Sequence, residues 1–226
     1  MQRNHITRAA GGVGGGPPDG GFVYLGTHEY SSVSETTKTF TFDIGAAYAS
    51  KNLVMVNTSA TSGGFAYITA AFVAGVSMSL LDDSTDGVRL ELLSCPIGAI
   101  GGDQTVTITT NSPFNKGFIS FYSVDSNVFS MAAPATVGTT NQGTSNNAVL
   151  TGLTAGSLAI GGACSLENNA GLTIGGIDTD FSGQNAGPIA LTFRSGSLSP
   201  TGTSVTLTYT STSSNVVRVL GAFAPI

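Results

Sequence analysis

Asp82, Asp83 and Asp86 crowd into five positions, and Gly87 follows them. Clustered carboxylates beside a glycine are the raw material of a calcium loop, because a hard cation takes several oxygen ligands. The EF-hand spacing would put a glutamate at position 93, where the chain has Leu93. The plainer reading is an acidic hairpin turn, and the three aspartates stand only as candidate ligands. Asp178 and Asp180 flank Thr179 and would point the same way along a strand, as a solvated face or a second cation site.

Imidazole chemistry is restricted to His5 and His28. A hydrolase triad needs a Ser or Cys nucleophile, a His and an acid brought together. His28 with Glu29 and either Cys95 or Cys164 is the one set to consider, but the chain has no G-x-S-x-G elbow. The step His28–Glu29–Tyr30 lacks the second histidine of H-E-x-x-H, so it is not a zincin. GGVGGG at 11–16 shares only its glycines with a phosphate loop: no strand precedes it, and the P-loop lysine is missing. No catalytic residue, cofactor or metal is therefore assigned. Glycoside hydrolysis depends on carboxylate spacing in space, which a sequence does not give. The absence of Trp leaves few sugar platforms, and Tyr24, Tyr30, Tyr48, Tyr67, Tyr122 and Tyr209 read as core and interface packing.

At 226 residues the chain is long enough to bury a real core, as one large β domain or two small ones. Only 9% of its residues are charged, against roughly 25% in ordinary soluble proteins. Such a surface must be covered by Ser, Thr, Asn and Gly, or by other protein chains. The net charge of −5 and eight scattered basic residues offer no stripe for phosphates, which argues against nucleic acid. Cys95 and Cys164 read as buried small hydrophobes, with a disulfide left open. The opening MQRNHITRAAGG has no apolar run of a signal peptide, and no window approaches eighteen apolar residues. The expectation is a protein folded in a cytosol, or assembled there into something larger, without a membrane.

Met1–Gly21 reads as an extended arm, because its glycines are too free and Pro17–Pro18 too restricted for helix or strand. After it come short strands at Phe22–Gly26, Val33–Glu35 and Lys38–Ile44, then a turn or short helix over Gly45–Asn52. Leu53–Asn57 is an apolar run suited to a strand buried on both faces. Phe65–Val73, Val76–Leu81 and Val88–Leu93 continue the series, the last with Arg89 and Glu91 alternating against Val88, Leu90 and Leu92. Thr105–Val124 reads as a hairpin whose turn is Asn111–Gly117, and Ser204–Phe223 echoes it. Met131–Asn147 reads as a connecting loop. The order of segments repeats at about a hundred residues, with Ser157–Cys164 echoing Asn52–Asn57 and Pro188–Arg194 echoing Val88–Leu93. The expected fold is an all-β antiparallel sandwich of jelly-roll type, built from two similar halves. The bounds are 1–21 for the arm, 22–131 for the first half, 132–147 for the connecting loop and 148–226 for the second half.

FDIGAAYASKNLVMVNTS at 42–59, TVTITTN and GFISFYSV within 105–124, AGSLAIGGACS at 155–165, and SVTLTYTSTSS with VVRVLGAF within 204–223 carry a resemblance. Together they resemble β-rich accessory proteins of tailed-phage virions: capsid decoration (cement), head-fibre or tail accessory proteins. The likeness spans 36–226 and lies in pattern. It implies a non-enzymatic virion component, homotrimeric, seated on a major capsid or tail protein. The arm, with Arg3, Arg8, Pro17 and Pro18, would dock on a neighbour. The other reading from the residues is a glycan- or receptor-binding sandwich using loops 59–64, 82–87 and 132–147.

Overall fold

The computed structural model describes residues 17–60, 66–85, 88–142, 147–166, 171–185, 191–199, 201–211 and 215–226. Arg3 and Arg8 of the expected arm, His5 and Asp86 lie outside the described residues. Among those described the chain is built of strands, with one 3₁₀ turn at Asp19–Gly21. The first half contains β1 (Phe22–Asp43), β2 (Lys51–Ala60), β3 (Ile68–Val73), β4 (Val76–Ser77), β5 (Ser79–Thr85), β6 (Arg89–Pro96) and β7 (Asp103–Asp125). The second contains β8 (Ala135–Gln142), β9 (Asn147–Thr151), β10 (Leu158–Ser165), β11 (Thr173–Gly175), β12 (Asp178–Asn185), β13 (Leu191–Leu198), β14 (Ser204–Thr210) and β15 (Asn215–Phe223).

The expected hairpin at Thr105–Val124 is instead one strand. β7 runs through Asn111–Gly117, and β1 pairs with it antiparallel on both sides of that stretch. The three short strands expected over 22–44 are likewise the single strand β1, with register shifts at Tyr24/Gly26 and between Ser31 and Thr37. The turn formers bend the ribbon rather than reverse it, since β1 supplies ladder partners before and after the bend. Pro113 falls in a gap where neither β2 nor β3 reaches β7, so its missing N–H breaks no ladder bond.

The bend folds the first sheet over on itself. Leu53, Met55, Leu93, Cys95, Ile119 and Phe121 on one limb enclose a core with Phe42, Ala71, Val73, Val106 and Ile108 on the other. The opposite face of β2, β6 and β7 packs on the five-stranded sheet through a second core. It includes Val54, Val56, Leu90, Leu92 and Phe118 from the first half, and Leu158, Ile160, Phe193, Val217, Val219 and Phe223 from the second. A third core, with Leu150, Val205, Leu207 and Leu220, joins that sheet to the three-stranded one. The result is four β layers with three apolar seams. β2 is buried along its whole length, as its apolar run requires.

The two halves share one topology. The five-stranded sheet is ordered β12-β13-β10-β15-β8, and the matching part of the first sheet is β5-β6-β2-β7-β1. The three-stranded order β11-β14-β9 matches β3-β7-β1. β14 and β15 therefore lie in different sheets and do not pair, so the second expected hairpin is also absent. Across the central core β5 packs on β8 and β15, while β12 packs on β1 and β7, the contact pattern of an approximate two-fold.

Residues 135–142, expected within the connecting loop, form β8 at the edge of the five-stranded sheet. The second half thus begins earlier than its expected start at 148. β8 approaches β5 so closely that a Cβ on Gly138 would run into the Asp83 carbonyl. The expected turn over Gly45–Asn52 contains no helix and ends at Ser50, since Lys51 and Asn52 open β2, and Gly45 takes φ +78 there. The buried Lys51 fastens this turn: its Nζ donates to the carbonyls of Ile44 at 2.6 Å, Ala46 at 2.9 Å and Ile100 at 3.1 Å.

Candidate functional site

Asp82 and Asp83 belong to strand β5, not to a hairpin turn. Asp82 Oδ1 accepts from the Asp83 N–H at 2.7 Å, and Asp83 Oδ2 meets Arg89 Nη2 at 2.6 Å. Among the described residues no three His, Cys, Asp or Glu side chains gather as metal ligands do.

Arg89 leads inward to Glu91, whose side chain is fully buried. Its Oε1 accepts from the Ile68 N–H at 2.9 Å, and its Oε2 from Asn57 Nδ2 at 3.0 Å. Arg89 Nε lies 3.2 Å from Oε1, off the N–H axis, so that contact is ionic rather than a good hydrogen bond. Tyr30 Oη donates to the Thr58 carbonyl at 3.0 Å and reaches Asn57 Oδ1 at 3.3 Å. Burial raises the Glu91 pKa against the lowering pull of these donors. Alternation suggested a wet face for Glu91. The bend of β1 and β7 covers that face, and Leu93 on the same side was the one signal of it.

A second polar group lies where β1 faces β12 across the central core. Tyr24 Oη and Thr27 Oγ1 are 2.6 Å apart, Thr27 Oγ1 and Ser120 Oγ 2.6 Å, and Ser120 Oγ and Ser195 Oγ 2.7 Å. Asp180 ends this seam. A bulge between Thr179 and Phe181 takes it out of alternation, so it does not share a face with Asp178 as expected. Asp180 is half-buried and accepts from Ser197 Oγ at 2.7 Å, while Asp178 is exposed. The two carboxylates do not converge on a cation site. Burial raises the Asp180 pKa and pushes Tyr24 up to about 12. The two-fold equivalent of Asp180 is Leu81, the bulged residue of β5, packed on the central core. One end of the central seam is thus apolar and the other hydroxylic. The hydroxyl chain can fix the halves in register, but it contains no strong base to activate a nucleophile.

His28 stacks on Phe40 at 3.8 Å between ring centroids, and burial followed by the Lys38 charge lowers its pKa to about 4. Cys95 and Cys164 are free and buried in separate cores, so no disulfide joins them, and His28 and Glu29, successive residues of β1, point to opposite faces of the sheet rather than converging on a sulfur. Cys164 Sγ accepts from Thr58 Oγ1 at 3.1 Å. Five tyrosines are buried, and Tyr67 lies half-exposed with Arg89 over its ring at 4.8 Å. Pro17 is exposed and Pro18 half-buried, its carbonyl accepting from Gly21 N–H at 2.9 Å. Of the expected binding loops, 61–64, 86–87 and 143–146 lie outside the described residues.

Arg218 on β15 gave no sequence signal beyond one charge in an apolar strand. It is fully buried, with its guanidinium over the Tyr209 ring at 4.6 Å. Among the described residues none of its three nitrogens has an acceptor in full hydrogen-bond geometry, and the Tyr209 side chain is its polar neighbour. Among the described residues no helix is long and apolar enough to cross a membrane. Comparison with protein-family models, with curated proteins and with solved structures finds no match.

Proposed function

We propose that the chain is a structural subunit of a phage virion, a capsid decoration or head-fibre protein that acts by packing on other protein. The observation that carries this reading is the pair of hydroxyl-lined outer faces of the four-layer block. On the first, Thr37, Thr39 and Thr41 of β1 stand in register with Thr109, Thr107 and Thr105 of β7. Their hydroxyls pair at 3.2 Å for Thr37–Thr109 and 3.3 Å for Thr39–Thr107. On the second, Thr173 and Thr210 pair at 2.6 Å, beside Thr208 and Thr206 of β14. Faces of short, uncharged, mutually bonded side chains lose little entropy and desolvate little charge when another protein covers them. The arm and a trimeric arrangement on a major capsid or tail protein complete the proposal.

The test is protein composition of purified particles. The chain should copurify with them at fixed stoichiometry. Deleting residues 1–20 should release it while circular dichroism stays that of the full chain, and Thr39→Lys with Thr107→Lys should block its incorporation. Retention of both variants on particles would refute docking by these surfaces. A protein absent from particles that binds a glycan array would instead be a glycan-binding sandwich.

A further inference from the structure

The two outer faces of the four-layer block correspond by the approximate two-fold, since β3-β7-β1 and β11-β14-β9 share one order and one width. They differ in where each carries an exposed apolar side chain. On the first face Phe72 of β3 stands in register with Thr107 of β7, on the side of the sheet that shows Thr39. It is 38% exposed, while its neighbours Ala71 and Val73 are buried in the core beneath. On the second face Val149 of β9 stands in register with Thr206 of β14 and is 46% exposed, with Ala148 and Leu150 buried below. The two-fold matches β3 with β11 and β1 with β9, so the two apolar side chains sit on opposite flanks of the repeated sheet. The faces differ in charge as well. Asp43 and Asp103 are cross-strand partners that continue the first threonine rows, and Glu35 lies exposed beyond their other end. The second face has no such rim: β9, β11 and β14 contain no charged residue.

Sheets pack face to face about 10 Å apart, with strands within about 30° of one another. Turning the second face of one copy over onto the first face of another, with β14 running along β7, reverses its strand order. β9 then lies over β3, and β11 over β1. Val149 meets Phe72 and Thr173 meets the β1 threonines, so apolar covers apolar and hydroxyl covers hydroxyl. Either face laid on its own kind in that orientation sets its apolar side chain on a threonine instead. Two first faces would also bring Asp43, Asp103 and Glu35 against the same carboxylates, and like charges brought together disfavour association. The uncharged second face avoids that. We infer that the chain stacks on itself, the second face of one copy covering the first face of the next. The inference rests on the reading of the outer faces as docking surfaces and names a second copy as their occupant. Because the contact joins two different surfaces, each end of a stack keeps one face uncovered and the stack stays open. Open stacking of this kind builds a fibre.

The experiment is sedimentation velocity of the full chain over a range of concentrations, beside Phe72→Lys and Val149→Lys, both at exposed positions. Wild type should form a ladder of species that lengthens as concentration rises. Each variant alone should sediment as a single unit, because every contact needs one face of each kind. An equimolar mixture should give a species of twice that mass and nothing longer. There the intact second face of Phe72→Lys covers the intact first face of Val149→Lys, which also shows that both variants are folded. Wild type that stays one unit at every concentration overturns the inference. So does a variant that still associates alone, which would mean contact between like faces, and so does a mixture that does not associate. Wild type that fails to stack yet copurifies with particles sinks this inference and leaves the docking reading standing. Wild type that stacks but is absent from particles does the reverse.

Discussion

Ser120 and Ser195 join the two halves by a 2.7 Å hydroxyl contact in the middle of an apolar core. By the approximate two-fold, their counterparts are Val219 and Leu92, both buried in that core. The same place in the fold is therefore filled once by a polar pair and once by an apolar pair. Ser120 also meets Thr27, so Ser120→Ala leaves two hydroxyls short of a partner and Ser195→Ala one. The expected costs are about 2 and about 1 kcal/mol by urea unfolding. The double variant should cost less than the sum, because both changes remove one shared bond. Strict additivity would mean that the pair carries no coupling.

Glu91 ties the start of β3 to the β2–β6 ladder through Ile68 and Asn57. Glu91→Ala strands both donors and opens a small cavity, for an expected loss of about 2–5 kcal/mol. Glu91→Gln keeps an acceptor for Ile68 and should cost about 1 kcal/mol. The Glu91 pKa is raised on folding, chiefly by burial. Its contribution is full below the unfolded value and is lost as pH rises through the folded one. Glu91→Gln should remove that downward slope, and an unchanged urea midpoint against pH would contradict the assignment.

His28 gives the opposite slope. Its folded pKa of about 4 lies below the ordinary 6.5, so the unfolded chain binds the extra proton between those values. Stability contributed by neutral His28 is full above pH 6.5 and drains away as pH falls through 4. The total is up to about 3 kcal/mol from the size of the shift. His28→Gln should flatten the Tm-against-pH curve over that window. Undiminished acid sensitivity in the variant would place its origin elsewhere.

Strand existence was legible in this sequence where burial was two-sided or alternation clean, as in Leu53–Asn57 and Ser204–Thr210. The repeat at about a hundred residues was legible too, because equivalent strands carry similar patterns. The direction of the chain at Asn111–Gly117 was not. Turn formers permit reversal and bending alike, and what decides here is the pairing of β1, more than sixty residues earlier. β8 was hidden because ATVGTTNQ, at a sheet edge, has little apolar signal. Glu91 and Arg218 were hidden because covering layers, not local spacing, bury them.

Both thiols should be inert in the folded protein. Burial pushes Cys95 up to about 11 and Cys164 up to about 12, so the reactive thiolate is scarce at pH 8 as well as enclosed. Ellman's reagent should detect no thiol in native buffer and both in denaturant. A fast native reaction at either residue would show that its core opens readily.

The halves repeat one topology, yet neither should stand alone. Separating them at residue 131 would bare Val54, Val56, Leu90, Leu92 and Phe118 on one side and Ile160, Phe193, Val217 and Val219 on the other. Apolar patches of that extent drive association. The polar end of the seam would lose its partner as well, leaving Ser120 without Ser195. The expected outcome is that 17–131 and 132–226, expressed separately, aggregate or exchange into domain-swapped pairs, while the intact chain melts in a single calorimetric transition. Coexpressed fragments should recombine into one soluble complex, because the central core needs no covalent link across it. Two soluble monomeric fragments, each with a Tm near that of the full chain, would show instead that the inner cores suffice and that the central seam is a docking surface between finished domains.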